Sequence, residues 1–175
     1  YNTAIGDQAL DQNTTASNNT AVGNDALLLD TTGHSNTAIG SASLTALTTG
    51  NYNTAVGRDS LGACTTGSSN TAVGEDCLDS NTTGGLNVAV GQSALGQSTT
   101  ASNCTAIGAY SLDANTFGIN NTGVGKDSLT ANTTGQQNTA MGVSSMLLNT
   151  TGDFNTAIGN NALYSNSTGD ENTAV

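Results

Sequence analysis

A five-residue motif recurs along the whole chain at a constant interval of 17 residues. Asn-Thr-Ala-(Val/Ile)-Gly, with small variations, starts at positions 2, 19, 36, 53, 70, 87, 104, 121, 138, 155 and 172. Residues 1–175 are therefore a single array of ten complete 17-residue units and the first four residues of an eleventh, with no insertion. A repeat of fixed length gives each residue the same structural position in every unit. Because the array begins and ends within a unit, we expect it to be a segment of a longer fibre.

The consensus of the unit, numbered from its Asn, is N-T-A-[VI]-G-x-x-[AS]-L-x-x-N-T-T-G-x-x. Position 5 is Gly in all ten units, and position 15 is Gly in eight of the ten. Known helical repeats need about 33 residues or more to hold two helices, and Gly-marked corners favour short β segments. Identical phase stacks each segment on its copy, with parallel strands about 4.8 Å apart. The sequence predicts an all-β, parallel β-solenoid of ten 17-residue coils.

A column is the set of residues that occupy the same position in successive units. Two columns are aliphatic and form the predicted core. Position 4 is Val or Ile in ten of its eleven copies, and position 9 is Leu in nine of ten. Because side chains alternate along a strand, an inward position 4 places position 2 on the same face. The predicted core ladder comprises Val56, Leu61, Val73, Leu78, Val90 and Leu95.

The Ala column at position 3 is the basis for predicting contact between chains. Position 3 is Ala in ten of eleven copies. If position 4 points inward, position 3 points outward. A column that is exposed to solvent should also contain large polar residues, and this column does not. The small core of each coil also favours extra burial against a second chain. The sequence predicts a homo-oligomer with an inter-chain ladder at Ala38, Ala55, Ala72, Ala89 and Ala106.

A pair of Thr residues at positions 13 and 14 is the third regular column. We expect it to lie on a second strand, with one Thr of each pair pointing outward. Such an outward ladder is similar to the working face of ice-binding solenoids. The alternative is that β-branched Thr simply suits strands. The predicted surface ladder comprises Thr48, Thr49, Thr65, Thr66, Thr82 and Thr83.

Polar side chains of the repeat point to structure rather than to chemistry. The Asn columns at positions 1 and 12 can form amide ladders along the solenoid axis or bonds at its corners. Cys64, Cys77 and Cys104 share no column and have no zinc or redox spacing. His34 is the only histidine, and it stands in a loop position. The recurrent acids at position 7 lack the Gly-rich pattern of calcium solenoids. We therefore predict no metal site, no cofactor and no enzymatic activity.

The charge of the chain excludes several partners. Thirteen acids against Arg58 and Lys126 give a formal net charge of −11. Nucleic acids and anionic membranes attract clustered Lys and Arg, which this chain lacks. No apolar run approaches the roughly 18 residues that a membrane-spanning helix needs. We expect no nucleic acid partner and no membrane insertion.

The unit resembles the repeats of two kinds of surface fibre. The segment NTAVGRDSL, from Asn53 to Leu61, is similar to the head repeats of trimeric autotransporter adhesins, whose unit is shorter. The full pattern NTAVG…AL…NTTG also resembles repeat regions of bacteriophage tail-fibre-like proteins. The resemblance covers the whole chain. It implies a homotrimeric, left-handed β-roll carried outside the cell, on a cell or virion surface.

Two functional hypotheses follow from these observations. The first is a structural or adhesive extracellular fibre, such as the shaft of a surface adhesin or a phage tail fibre. Its partners would be its own copies and a cell-surface receptor or glycan, contacted through the variable positions 6, 7, 10, 11, 16 and 17. The second is an ice-binding solenoid that uses the Thr-Thr ladder.

Overall fold

Every unit of the sequence forms one coil of a parallel β-solenoid. The computed structural model describes all 175 residues, Tyr1–Val175, in about ten turns and without a helix. No segment is therefore a helix long and apolar enough to cross a membrane. Each coil contributes one short strand from positions 2 to 4 of its unit. The strands are β1 (Thr3–Ile5), β2 (Thr20–Val22), β3 (Thr37–Ile39), β4 (Thr54–Val56), β5 (Thr71–Val73), β6 (Val88–Val90), β7 (Thr105–Ile107), β8 (Thr122–Val124), β9 (Thr139–Met141), β10 (Thr156–Ile158) and β11 (Thr173–Ala174).

The eleven strands form a single parallel sheet in sequence order. Each strand residue pairs with its equivalent in the next unit, as Thr54 pairs with Thr71. The expected second strand at Thr48–Thr49 is absent, because the chain bends there. Successive coils are still hydrogen-bonded at the bend, where the Thr48 N–H donates to Thr65 O at 2.9 Å. One strand and several bonded turns therefore close each coil.

Three non-glycine residues in every coil adopt a left-handed backbone conformation. They occupy positions 7, 9 and 17, and their φ angles lie between 49° and 61°. β-branched side chains are strongly disfavoured in this region. None of these positions holds Val, Ile or Thr in any coil, although Thr is abundant in the chain. The backbone thus explains why the buried aliphatic residue at position 9 is Leu or Met.

The glycine at position 5 meets two backbone demands at once. Its φ lies between 127° and 143° in the ten coils, a region that essentially only Gly adopts. A Cβ on Gly57 would also lie 2.2 Å from the carbonyl oxygen of Gly74 in the next coil. The coils stack too closely here for any side chain, so Gly is the only residue found at this position.

The interior of the solenoid is filled by positions 1, 3, 8, 9, 12 and 15. Leu61, Leu78 and Leu95 from the predicted core ladder are fully buried. Val56 is only half-buried, and Val73 and Val90 are exposed. The expectation that position 4 points inward is therefore wrong.

Position 3, rather than position 4, points inward because the cross-section of the coil is narrow. At position 3, a Cβ added to Gly123 would lie 2.6 Å from Ser111 Oγ and 3.3 Å from Leu112 Cγ. The buried side chains of positions 8 and 9 already fill the space beside the strand. Only the smallest side chain fits between them, so Ala faces inward and the larger Val or Ile faces outward.

The predicted inter-chain ladder is overturned by the same packing. These five alanines are fully buried within their own chain, which leaves them no surface for contact with another. They are Ala38, Ala55, Ala72, Ala89 and Ala106.

Candidate functional site

The two Asn columns line the interior and join neighbouring coils. At position 1, the Asn36 main-chain N–H donates to Asn19 Oδ1 (2.8 Å), and Asn36 Nδ2 donates to Gly50 O (2.9 Å). This pattern repeats along the column and ties each coil to the one before it. At position 12, Asn81 Nδ2 donates to Gly84 O (3.0 Å), and its Oδ1 accepts from Gly84 N (3.1 Å). The second column therefore closes the local turn.

Several residues depart from the Asn columns. Asp30 occupies position 12, fully buried, and accepts hydrogen bonds from Gly33 N (2.8 Å) and Asn19 Nδ2 (2.9 Å). Burial raises its pKa to about 6, although the hydrogen bond from Gly33 opposes this shift. Ser98, at the same position, has a buried Oγ without a hydrogen-bond partner.

The three cysteines are buried and free. Burial raises the pKa of Cys64 to about 11 and that of Cys77 to about 12. Cys104 takes the place of Asn at position 1, and its Sγ lies 3.3 Å from Gly118 O. Their thiols are kept in the unreactive, protonated form, and they serve as small core side chains.

The outer face of the sheet presents two straight columns of outward side chains. Position 2 is Thr in all strands except β6, which has Val88, and most of these side chains are half-buried. Position 4 is aliphatic throughout and includes the exposed Ile39 and Ile107. The face is about 10 Å wide and about 50 Å long from the strand dimensions, or about 500 Å². Exposed patches of about 300–600 Å² on single chains are often functional.

This outer sheet face carries no charge in a strongly acidic chain. All 15 charged side chains occupy positions 6, 7, 10, 12, 16 or 17. Arg58 contacts Asp59 in its own coil and pairs with Glu75 (2.6 Å) and Asp76 (3.3 Å) in the next. The acids of positions 6, 7 and 10 thus lie outside the outer sheet face, and they are partly or fully exposed. Burial raises the pKa of Asp79 there, and the nearby Asp59 and Asp76 add to the shift.

The predicted Thr ladder is split between two environments. The hydroxyl of Thr48 donates to Thr65 O (3.0 Å), and the hydroxyl of Thr65 donates to Thr82 O (3.1 Å). Thr82 continues this chain of bonds with Thr99 O at 3.1 Å. The position 14 partners of these residues are exposed, namely Thr49, Thr66 and Thr83. The position 13 hydroxyls therefore bond the coils together and are not free to contact a ligand.

A further surface feature was missed by the sequence reasoning. Large apolar side chains stand out at the corner formed by positions 14 to 17, with exposures of 61%, 62%, 59% and 52%. They are Tyr52, Leu86, Phe117 and Phe154. The signal was present in the sequence. When coils are numbered from the unit that begins at position 2, these residues fall in coils 3, 5, 7 and 9, and most other coils have polar residues at positions 14 and 17.

The structure contains no enclosed site. It has no surface pocket, and no three His, Cys, Asp or Glu side chains are placed to hold a metal ion. His34 packs against Tyr52 at the apolar corner, with ring centroids 4.9 Å apart and ring planes at 88°. The candidate functional surfaces are therefore the outer sheet face and this corner.

Comparisons with known proteins do not indicate a function, so functional inference rests on these two surfaces. No protein family matches the chain, and neither does any curated protein or solved structure.

Proposed function

We propose that the chain is a structural and adhesive extracellular fibre that assembles with its own copies through the outer sheet face. The observation that carries this proposal is the unbroken column of outward aliphatic side chains at position 4. Outward Val, Ile and Met side chains gain free energy when a second surface covers them. The face spans the whole sheet, so assembly through it produces a rod.

Charge placement supports self-association through this face. A chain with a net charge of −11 repels its copies, and that repulsion is weakest where acids are absent. Each partner of a standard interface buries about 800 Å². The outer sheet face supplies the apolar centre of such an interface. A homotrimer on a cell or virion surface is the assembly that the resemblance favours.

The test combines mass measurement with a matched pair of variants. Light scattering during size-exclusion chromatography should give three times the chain mass. The double variant Val73→Lys and Val90→Lys should be monomeric, because it places two charges in the interface. The control, Thr83→Lys and Thr100→Lys, adds the same charges at exposed position 14 and should assemble. A monomeric parent protein, or equal assembly of both variants, would overturn the proposal.

Ice binding is the second candidate, and the outer sheet face favours it in a new form. The hydroxyls of the position 2 threonines make no hydrogen bond within the chain, unlike those at position 13. They repeat about every 4.8 Å beside a row of methyl groups, as parallel strands do. Such an array resembles the regular oxygen spacing of an ice surface more closely than the bonded Thr pairs do.

Ice recrystallisation assays distinguish the two candidates. An ice-binding solenoid should slow crystal growth at micromolar concentration, and the double variant Thr54→Lys and Thr71→Lys should abolish the effect. A parent protein without effect on ice growth would leave only the fibre proposal.

A further inference from the structure

The apolar corner consists of Tyr52, Leu86 and Phe154 at position 17 and Phe117 at position 14, and its members fall in alternate coils. These residues lie in coils 3, 5, 7 and 9, so one large apolar side chain projects from every second coil. Two coils correspond to about 9.6 Å along the axis. Each of the four side chains is more than half exposed.

Folding gives no reason for large apolar residues at this corner. Tyr52, Leu86 and Phe154 adopt φ angles of 58° to 61°, the left-handed conformation, which costs roughly 1–2 kcal/mol for a residue with a side chain. Phe117 replaces Thr, which occupies position 14 in all nine other coils. Being exposed, these side chains recover little free energy by burial. Their exposed surface is therefore available for contact with something outside the chain.

From coil 2 to coil 8 the surroundings of the apolar corner are polar but uncharged, and Asp153 precedes Phe154 in coil 9. In the coils between these residues, position 17 is occupied by Ser69, Asn103 and Gln137. From coil 2 to coil 8, positions 14 to 17 contain no acid, lysine or arginine, and the first acid is Asp153. A charged ligand finds no counter-charge here, whereas hydroxyl groups find amides and hydroxyls as hydrogen-bond partners.

We propose that the apolar corner binds an extended, uncharged β-1,4-linked polysaccharide, with sugar rings stacked on every second coil. The C–H face of a pyranose ring packs on aromatic and aliphatic side chains, while its rim hydroxyls need polar neighbours. In a β-1,4-linked chain, adjacent rings are turned over, so equivalent rings recur every disaccharide. That repeat is close to the spacing of two coils. This inference rests on the adhesive part of the proposed function and identifies its ligand class.

A rigid solenoid makes weak individual contacts effective. The contact between His34 and Tyr52 restrains the Tyr52 ring before any ligand arrives. Four sites on one rod engage one polymer chain together, so the second and later contacts are intramolecular. Affinity should therefore rise with the length of the oligosaccharide.

The experiment measures binding of the purified protein to microcrystalline cellulose and crystalline chitin by sedimentation, with granular starch as the α-linked comparison. The double variant Tyr52→Ser and Phe154→Ser places a residue that other coils tolerate at position 17. It should bind at least tenfold more weakly. The matched control, Leu29→Ser and Leu148→Ser, removes two exposed apolar side chains at position 11, outside both the apolar corner and the outer sheet face. It should bind like the parent protein.

The outcomes separate this inference from the fibre proposal. The inference is overturned if the parent protein binds neither β-1,4-linked polymer, if it binds starch equally well, or if both variants bind alike. Recognition of a protein receptor instead would appear as one of these failures. The oligomeric state of each variant, measured by light scattering, tests the fibre proposal independently. Circular dichroism confirms that each variant remains folded.

Discussion

Both Asn columns are buried in the solenoid interior, but position 12 contains more substitutions than position 1. Position 1 is Asn in every unit except the one that begins with Cys104. Position 12 accepts Asp30, Leu47, Cys64 and Ser98 in the first six coils, and is uniformly Asn only from coil 7 onward. Position 1 accepts from a main-chain N–H of the neighbouring coil, whereas position 12 closes a turn in its own coil and reaches the neighbouring coil only through side-chain bonds. Bonds to the main chain of the next coil thus constrain the sequence more than bonds between side chains.

Removing an Asn from position 1 should have the largest effect. Asn70 Oδ1 accepts from Asn87 N (3.1 Å), and Asn70 Nδ2 donates to Gly84 O (2.9 Å). Asn70→Ala leaves the Asn87 N–H buried without a partner, and should lower the free energy of unfolding by about 3 kcal/mol. Urea denaturation measures this loss. Thr83→Ala, at an exposed site in the same coil, should change it little, and an equal loss in both variants would refute the comparison.

Replacing the buried acid of position 12 should stabilise the chain in a pH-dependent way. The pKa of Asp30 is about 6 in the fold and 3.8 ordinarily, so folding favours its protonated form. Its ionisation therefore costs stability progressively as pH rises from about 4 to about 6, and the full cost remains above that range. Asp30→Asn should gain about 1–2 kcal/mol at pH 7 and much less at pH 4.

Thermal unfolding at both pH values measures the gain from Asp30→Asn. The same substitution at the exposed Asp7 is the control, and it should give no comparable gain. A gain that does not depend on pH would show that Asp30 is not the titrating group.

Substituting Asn at position 12 in coils 7 to 10, where the column is uniform, should lower the free energy of unfolding less than substituting Asn at position 1. Asn132 Nδ2 donates to Asn115 Oδ1 (2.7 Å) and Gly135 O (2.9 Å). Both acceptors also receive a hydrogen bond from Asn121 Nδ2. Asn132→Leu reproduces the residue found at Leu47 and should cost about 1 kcal/mol in urea denaturation. A loss as large as that of Asn70→Ala would remove the distinction between the columns.

Restoring Asn where position 12 is irregular should have the smallest effect. Ser98 Oγ is buried without a partner, and its column neighbours in adjacent coils are Asn81 and Asn115. Ser98→Asn is tested in an Ala101→Gly background, because a Cβ at position 15 would lie 2.5 Å from the Oδ1 of an Asn at position 12, as at Gly84 and Asn81. In that background the new amide supplies a donor and an acceptor to the turn and should add about 0.5–1 kcal/mol. The melting temperature should rise by a few degrees or less, and a fall would show that the cavity is too small for the amide.

The period of the sequence determined most of the fold, and the chemistry of single residues determined less. The constant interval of the repeat predicted the coil, the parallel stacking and the pairing of equivalent residues. Alternation alone cannot say which face of a strand is inward, and aliphatic Val73 was assigned inside in preference to Ala72. The choice depends on the narrow cross-section, which is set by Leu78 and its neighbours.

The surfaces were harder to predict than the interior. The bonding of the Thr48 hydroxyl to the next coil depends on the bend of the backbone, which spacing does not reveal. The left-handed positions did leave a signal in the sequence, since β-branched residues are missing from positions 7, 9 and 17. The spacing of Tyr52, Leu86, Phe117 and Phe154 was also readable, but only the structure shows that these side chains project.

The nearest-neighbour bonding of the coils also determines how a single solenoid responds to force. Each interior coil is hydrogen-bonded only to the coil before it and the coil after it. Tension applied at one end therefore loads the bonds of the terminal coil alone, and that coil detaches before the next is strained. Each event releases about 55 Å of chain. A single chain should lengthen in equal steps at a nearly constant force, much as a zipper opens, which would let a fibre absorb work without breaking at once.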